Sequence, residues 1–295
     1  MSGKYILAGV LFALLWSSAA AATKIALQSA QPFVIAVARF FIAGVGMLIF
    51  VHLIWQKRLP QKKEWLAVSI YGLLNISLYL GLYVVAMQEL SAGLGSMAVA
   101  VNPVLISILS AALFDHKMGV KHWLSLLLCS ASVVVAAWPL LQNSFATVNG
   151  IFIMLVSMLA YSVGAIYFVR TKWNDLHILT INGWQTLIGG VLLFPVLLFT
   201  YKAELNRFDM DFFGSVLWLA VPVSITAVQL WLWLLKRNAE TASYWLFLCP
   251  VFGFLIAAVR LNEPISWYTI AGVFLVTIGL YLVQKKKVAL KTASK

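Results

Sequence analysis

Ten runs of mostly apolar residues fill nearly the whole chain, and polar residues are confined to the short gaps between them. The runs fall at roughly 5–23, 33–55, 65–86, 93–114, 122–140, 150–169, 178–200, 212–235, 242–260 and 265–284. A helix that crosses a bilayer needs about 20 such residues. The pattern therefore predicts ten transmembrane helices and an all-α polytopic membrane protein. The gaps leave no room for a sizeable soluble domain.

The pattern is also written twice. Pro103-Val104 meets Pro250-Val251 at an offset of 147 residues. At the same offset Asp115 falls on Asn262, Ser96 on Ser243, Ala111 on Ala258, and Ser125 and Ser132 on Gly272 and Gly279. Nearer the start of each half, Trp16-Ser17 meets Tyr161-Ser162, and Ala43-Gly44-Val45 meets Gly189-Gly190-Val191. Each half carries five spans. Five is odd, so the second half enters the membrane from the opposite side and the halves form inverted repeats, an architecture of many secondary transporters. We read residues 1–143 as the first repeat, 144–284 as the second and 285–295 as a basic tail. The break is expected near Gln142-Asn143-Ser144. The tail is expected to be disordered and to rest on anionic lipid.

Composition agrees with lipid as the solvent. The chain is 63% hydrophobic and only 10% charged, against roughly 25% charged in soluble domains. The net charge of +12 raises nucleic acid as a partner, but its distribution argues otherwise. With the N-terminus inside, 16 of the 21 Lys and Arg fall in inside segments and only Lys24, Lys202, Arg207 and Arg260 fall outside. That bias is a topology signal, and it places both termini in the cytoplasm of a cell in whose inner or plasma membrane the protein sits. Lys4, the apolar run after it and Ser17-Ser18-Ala19-Ala20-Ala21-Ala22 mimic a signal peptide. The echo of Trp16-Ser17 at Tyr161-Ser162 instead makes this run a retained first helix. Cys129 and Cys249 are isolated within spans and lack metal or redox spacing, so packing is their expected role.

Small residues at Ala19 to Ala22, Gly44 and Gly46, Gly189 and Gly190, and the Ser125/Ser132 and Gly272/Gly279 pairs predict close helix approach in lipid. Pro103 and Pro250 hold equivalent places in the fourth and ninth spans. Each would free a carbonyl one turn back, near Val99 and Leu246, and each is a candidate hinge or a plain packing kink. Pro222 lies mid-span in the eighth helix.

Several of these segments carry a family likeness. They are Leu14-Leu15-Trp16-Ser17 followed by Lys24; Pro32 with Ala38-Arg39-Phe40; Ala86 to Ala92 with Asn102-Pro103-Val104; and Pro250-Val251-Phe252 followed by Asn262-Glu263-Pro264-Ile265, Ala271-Gly272 and Gly279-Leu280. Over its whole length the chain resembles the drug/metabolite transporter superfamily, in its ten-helix EamA branch. Members of that family mostly move small metabolites outward, with amino acids and drug-like molecules as typical cargo, so the resemblance implies an exporter. One departure stands out. The family often ends the fourth helix with an acidic residue matching Glu263, whereas here Asp115 comes one place early.

Polar groups at mid-membrane are costly, which makes them functional candidates. Asn75 lies mid-span, with Tyr79 and Tyr83 four and eight residues on along one helical face. Asn102 lies mid-span beside Pro103. Trp16 and Tyr161 hold matching central positions, where they either pack the bundle or wall a cavity for an apolar or aromatic group. Trp65, Trp123 and Trp267 fall at span ends and read as interfacial belt residues. Arg39 and Gln185 are equivalent across the repeat. Arg39 lies roughly 10 Å inside its helix at 1.5 Å per residue, and it either attracts a substrate carboxylate or clamps the first or third helix. Gln185, Gln229 and Trp233 are weaker candidates on the inner side.

All nine acids and four histidines lie at or near span ends or in loops, so no central proton carrier is visible, although coupling at an end such as Glu263 is left open. Glu263 reads better as holding a helix end. A nucleotide-binding Gly-rich Lys loop is absent from the sequence, and no cofactor is expected. Facilitated diffusion or exchange follows most directly. The expected cargo is a small amphipathic metabolite, an amino acid or related aromatic or apolar compound, moved by alternating access. The alternatives are efflux of drug-like or toxic compounds and translocation of lipid-linked or nucleotide-sugar cargo. A membrane-embedded enzyme or scaffold is the distant one, since no nucleophile with its base is apparent. Expected partners are the solute and membrane lipid, with monomer and homodimer both open.

Overall fold

The computed structural model describes residues 3–99, 101–113, 120–142, 145–237, 245 and 248–292. Asp115, Asn143, Ser144, Ser243 and Leu246 lie outside the described residues. Helices form where the apolar runs predict them: α1 (Gly3–Ala26), α2 (Pro32–Ile54), α3 (Lys63–Ala86), α4 (Ala92–Val99, then Asn102–Leu113), α5 (Val120–Gln142), α6 (Val148–Arg170), α7 (Ile178–Thr200), α8 (Met210–Trp218, Leu219–Ala227 and Val228–Arg237 in succession), α9 (Leu248–Leu261) and α10 (Trp267–Thr292). Eight are long and apolar enough to cross a membrane, while Leu248–Leu261 and Trp267–Gly279 are shorter apolar helices. Among the described residues the only extended pairing is a single bridge between Leu90 and Ala146. Large apolar side chains such as Leu7, Phe152, Phe199 and Val259 stand exposed along the helices, where only lipid can cover them.

The helices gather into two compact units, each drawing on both halves of the chain. One comprises residues 1–21, 89–152 and 226–295; the other comprises 22–88 and 153–225.

In the first unit α5 packs along α10 and the first part of α4 along α9. Ser125 Oγ donates to the Gly279 carbonyl at 2.5 Å, and a Cβ on Gly272 would lie 2.9 Å from the Ser132 carbonyl oxygen. Gly272 is the repeat counterpart of Ser125, and Gly279 that of Ser132. Each residue thus meets the counterpart of the other, the signature of a two-fold axis, and the two helices run antiparallel. On α4, Ser96 Oγ donates to the Cys249 carbonyl at 3.0 Å. Ser17 Oγ on α1 reaches the same carbonyl at 3.0 Å. Both cysteines are free and buried.

In the second unit α2 packs along α7, and α3 also packs on α7. The same reciprocity holds here. A Cβ on Gly44 would lie 3.0 Å from Leu187 Cβ, and one on Gly190 would lie 3.0 Å from Phe40 Cβ and 3.6 Å from Phe41 Cδ2. Gly190 is the counterpart of Gly44, and Leu187 that of Phe41. Equivalent helices pairing antiparallel are what two inverted five-helix repeats require.

Two expectations need correction. Pro103 does not kink a continuous helix. The fourth span breaks around Val101, whose carbonyl accepts from the Val104 and Leu105 amides, and Pro103 falls in the first turn of the segment that follows. An N–H is not needed there. Pro250 likewise falls in the first described turn of α9. Nor is the backbone of residues 285–292 irregular: α10 continues helical to Thr292. No Gly or Pro falls among residues 285–292, and Lys, Ala and Leu are good helix formers.

Side chains cap the starts of α7 and α8. Asp209 accepts the Phe212 amide at 3.0 Å at the start of α8, and His177 Nδ1 accepts the Leu179 amide at the start of α7. Glu89 accepts from the Thr147 hydroxyl and the Asn149 amide, which hold its carboxyl below the usual carboxylate range. A depressed carboxyl stabilises the fold fully above its unfolded value of about 4.3 and loses that contribution as pH falls through the lower folded value. Melting temperature measured against pH should therefore fall on acidification below that range, and Glu89→Gln should flatten the decline.

Candidate substrate site

The second unit brings together Asn75, Tyr79, Tyr83, Tyr161 and Gln185, all singled out from sequence, and puts Arg39 beside them. The cause lies in α3 and α8, which are equivalent across the repeat. Each widens into a π-helical stretch mid-span, Leu73–Leu80 in α3 and Leu219–Ala227 in α8. Such turns displace the side-chain register and leave carbonyls for other donors, and they recur at functional sites. Pro222 lies inside the second stretch and accounts for it, since it has no N–H to give.

Asn75 and Tyr79 sit on the widened turns of α3. Asn75 Nδ2 donates to Gln185 Oε1 on α7 at 3.1 Å, and Gln185 Nε2 donates to Asn182 Oδ1 at 2.8 Å. The result is a three-amide chain with Gln185 only 4% exposed. The Tyr79 ring packs on Tyr161 of α6, with centroids 4.8 Å apart. Tyr83 follows one turn on, at 6.3 Å from Tyr79. The Tyr79 carbonyl accepts from Ser157 on α6 at 2.8 Å. On the same helix Gly164 has no side chain of its own, so α6 passes close to Leu74 and Asn75. Arg39 on α2 is 4% exposed, and Tyr79 and Tyr83 are its electrostatic neighbours. Its Nε donates to Ser224 Oγ at 3.1 Å, so the polar link from Arg39 runs to the widened turns of α8 rather than by hydrogen bond to the first or third helix.

Trp16, Asn102, Pro103, Gln229 and Pro250 belong to the other unit. Trp16 is half-buried and packs on Phe12, with centroids 5.9 Å apart, beside the cluster that includes Trp231 and Phe252. Asn102 is 3% exposed, and neither its amide nitrogen nor its amide oxygen has a protein partner. Gln229 Nε2 is likewise buried without a partner. Buried amides left open in this way are where water or a ligand is expected. Of the belt residues, Trp123 and Trp267 are exposed, whereas Trp65 packs edge-on against Trp184 at 4.7 Å. Among the described residues no group of three His, Cys, Asp or Glu could hold a metal ion.

Sequence reasoning missed Asn182 and Ser224. Asn182 lies three residues before Gln185, on the same helical face, and that spacing was a usable signal. Ser224 follows Pro222 by two residues and would have needed the widened turn to be foreseen.

Two matches to one family model cover residues 3–138 and 148–284, and the family is described as EamA-like transporters. The chain belongs to the EamA-like transporter family. It is therefore a multi-pass membrane transporter of the drug/metabolite superfamily, not an enzyme. Among EamA-like relatives, an uncharacterized transporter of Archaeoglobus fulgidus is 27% identical over 92% of this chain and 95% of that protein. The uncharacterized inner membrane transporter YedA of Escherichia coli is 26% identical over 95% and 93%, and the chloroplastic WAT1-related protein of Arabidopsis thaliana is 25% identical over 91% and 66%. A crystal structure superposes with a TM-score of 0.70 at 19% identity, covering 98% of this chain and 99% of its own, a likeness of fold alone.

Proposed function

We propose that this transporter exports a small amphipathic metabolite, an amino acid or a related compound with an aromatic or apolar side chain, by alternating access. In this reading residues 1–143 and 144–284 are the two repeats, both termini are cytoplasmic and the membrane is the inner or plasma membrane. The observation that carries it is the pairing of an amide chain with an aromatic pair on one widened stretch of α3. Asn75 and Gln185 offer hydrogen bonds there, while Tyr79 and Tyr161 offer ring faces. An apolar wall with a few placed polar groups is how small-molecule sites orient a ligand. The open amides of Asn102 and Gln229, with Trp16, support a second set of polar and aromatic contacts in the other unit.

Flux of radiolabelled amino acids into proteoliposomes containing the purified protein tests the reading. Asn75→Ala and Trp16→Ala should each cut flux by about tenfold, the order of one lost hydrogen-bonded or aromatic contact, while still eluting as folded protein. Wild-type flux in both variants would remove these residues from the site. No flux of any amino acid or aromatic metabolite by the wild-type protein would overturn the proposed cargo.

A further inference from the structure

Arg39 lacks what Arg58 and Arg207 of the same unit have. Arg58 forms a two-pronged pair with Glu64 at 2.7 and 2.9 Å and also donates to the Asn174 carbonyl. Arg207 donates to the Gln28 carbonyl at 2.8 Å. Both lie in loops, where water is at hand. Arg39 lies inside α2 at 4% exposure, yet among the described residues only Ser224 accepts from it.

A guanidinium carries five N–H donors and stays charged in proteins. Ser224 takes one of them. Its own hydroxyl proton is committed to the Leu219 carbonyl at 2.9 Å, so its lone pair is fixed toward Arg39 Nε. The two terminal nitrogens, which form the fork that suits a carboxylate, keep no protein acceptor. The Phe40 ring lies 5.5 Å from the guanidinium carbon and offers a π face but no hydrogen-bond acceptor. The five acids of this unit, Glu64, Asp175, Glu204, Asp209 and Asp211, all lie at helix ends or in loops, and Glu64 is already paired with Arg58. A buried cation with no counter-ion is costly, and the positioned fork makes the missing anion a ligand.

We infer that Arg39, positioned by Ser224, is the anion-binding point of the site in this unit, so that the cargo carries a carboxylate beside its apolar part. This rests on the export reading above and narrows it. Tyr79 neighbours Arg39 and packs at a tilt against Tyr161, which sets an aromatic wall next to the charge. Gln185, the repeat counterpart of Arg39, is neutral and already engaged by Asn75 and Asn182. The site therefore has one charged pole and one amide pole, which suits a monoanionic or zwitterionic solute and disfavours a cation.

A series of probes that share a phenylpropyl-like body and differ in charge tests this: 3-phenylpropionate, L-phenylalanine, 3-phenylpropan-1-ol and 3-phenylpropylamine. Binding to the purified full-length protein in lipid nanodiscs is read by thermal shift, which follows affinity for the folded state, and flux is read in proteoliposomes. The two carboxylates should bind at least about tenfold tighter than the alcohol or the amine. Arg39→Gln should erase that preference and Arg39→Lys should retain part of it. Should Arg39→Gln fail to fold, the wild-type series still decides, and Ser224→Ala should weaken the preference without abolishing it. Equal binding of all four probes, tighter binding of the alcohol or amine, no binding of any, or an unchanged preference in Arg39→Gln would each overturn the inference. Flux without charge preference would leave export standing and remove the anion subsite. Carboxylate-selective binding without flux would do the reverse.

Discussion

Gly189→Leu is expected to prevent the protein from reaching a stable fold. Gly189 lies on α7 where it meets α3. A Cβ there would overlap Ile76 Cβ and lie 2.8 Å from the Gly72 carbonyl oxygen. Gly72 reciprocates, since a Cβ on it would lie 2.7 Å from the Gln185 carbonyl oxygen and 3.3 Å from the Gly189 amide nitrogen. Backbone therefore meets backbone at this crossing. No rotamer change can admit a side chain, and the helices would have to separate. Overpacking a filled core costs about 1–3 kcal/mol, occasionally more, and a leucine against main chain belongs at or beyond the upper end. Separation would also break the Ser77 bond to the Gly189 carbonyl at 2.9 Å and pull Gln185 from Asn75. The measurement is folded yield by fluorescence-detected gel filtration, with melting temperature on any monodisperse fraction. Gly214→Leu is the control: nothing lies within 4 Å of a Cβ there, and trading Gly for Leu in a helix gains up to about 1 kcal/mol of propensity. A monodisperse Gly189→Leu protein that melts like the wild type would refute the described packing of α3 on α7.

That crossing also shows what sequence could and could not reveal. Gly189 and Gly190 stood out as small residues in an apolar run, because lipid gives small residues a packing role that water does not. The ten spans were legible for the same reason: hydrocarbon admits little besides long apolar helices. Reciprocal contacts such as Ser125 with Gly279 were latent in the repeat offset, but no offset says which counterpart a residue meets. The widened turns of α3 were hidden altogether. Nothing in Leu73–Leu80 marks a π-helical stretch, whereas Pro222 marked its counterpart. Because the spacing of Asn75, Tyr79 and Tyr83 was read at 3.6 residues per turn, the three were expected to share one face. On the widened turns Asn75 reaches Gln185 on α7, while Tyr79 packs against Tyr161 on α6 and still meets Tyr83. Pro103 reads from sequence as a hinge or a kink within one span, whereas the break around Val101 depends on tertiary contacts that a single sequence does not record.

Glu263→Ala should destabilise the protein by about 3 kcal/mol, because this side chain takes two backbone amides of a buried helix start at which Ser91 Oγ accepts only the Leu94 amide. Asn262 ends α9 in the left-handed conformation, φ 54°, which asparagine tolerates, and the Glu263 amide turns back to the Ala257 carbonyl at 3.3 Å. That reversal aims the carboxylate at the first turn of α4. Its two oxygens accept the Ala92 amide at 2.5 Å and the Gly93 amide at 3.1 Å, with Glu263 itself 8% exposed. Each buried donor left unmade costs about 1–3 kcal/mol, and the negative charge at a helix N-terminus adds about 0.3–1 kcal/mol. Glu263→Gln keeps one acceptor and turns an NH2 toward the other amide, so it should fall between the alanine variant and the wild type in melting temperature. The same pair of variants separates a cap from a proton carrier. With both oxygens occupied by backbone donors, a proton on either oxygen would turn an O–H toward one of the two amides and leave only one acceptor for the helix start. Flux by Glu263→Gln in proteoliposomes should therefore keep the wild-type response to an imposed pH gradient, at whatever reduced amount of folded protein survives. A Gln variant that melts like the wild type and loses its response to the gradient would make Glu263 the coupling residue and remove the cap as its reason for being buried.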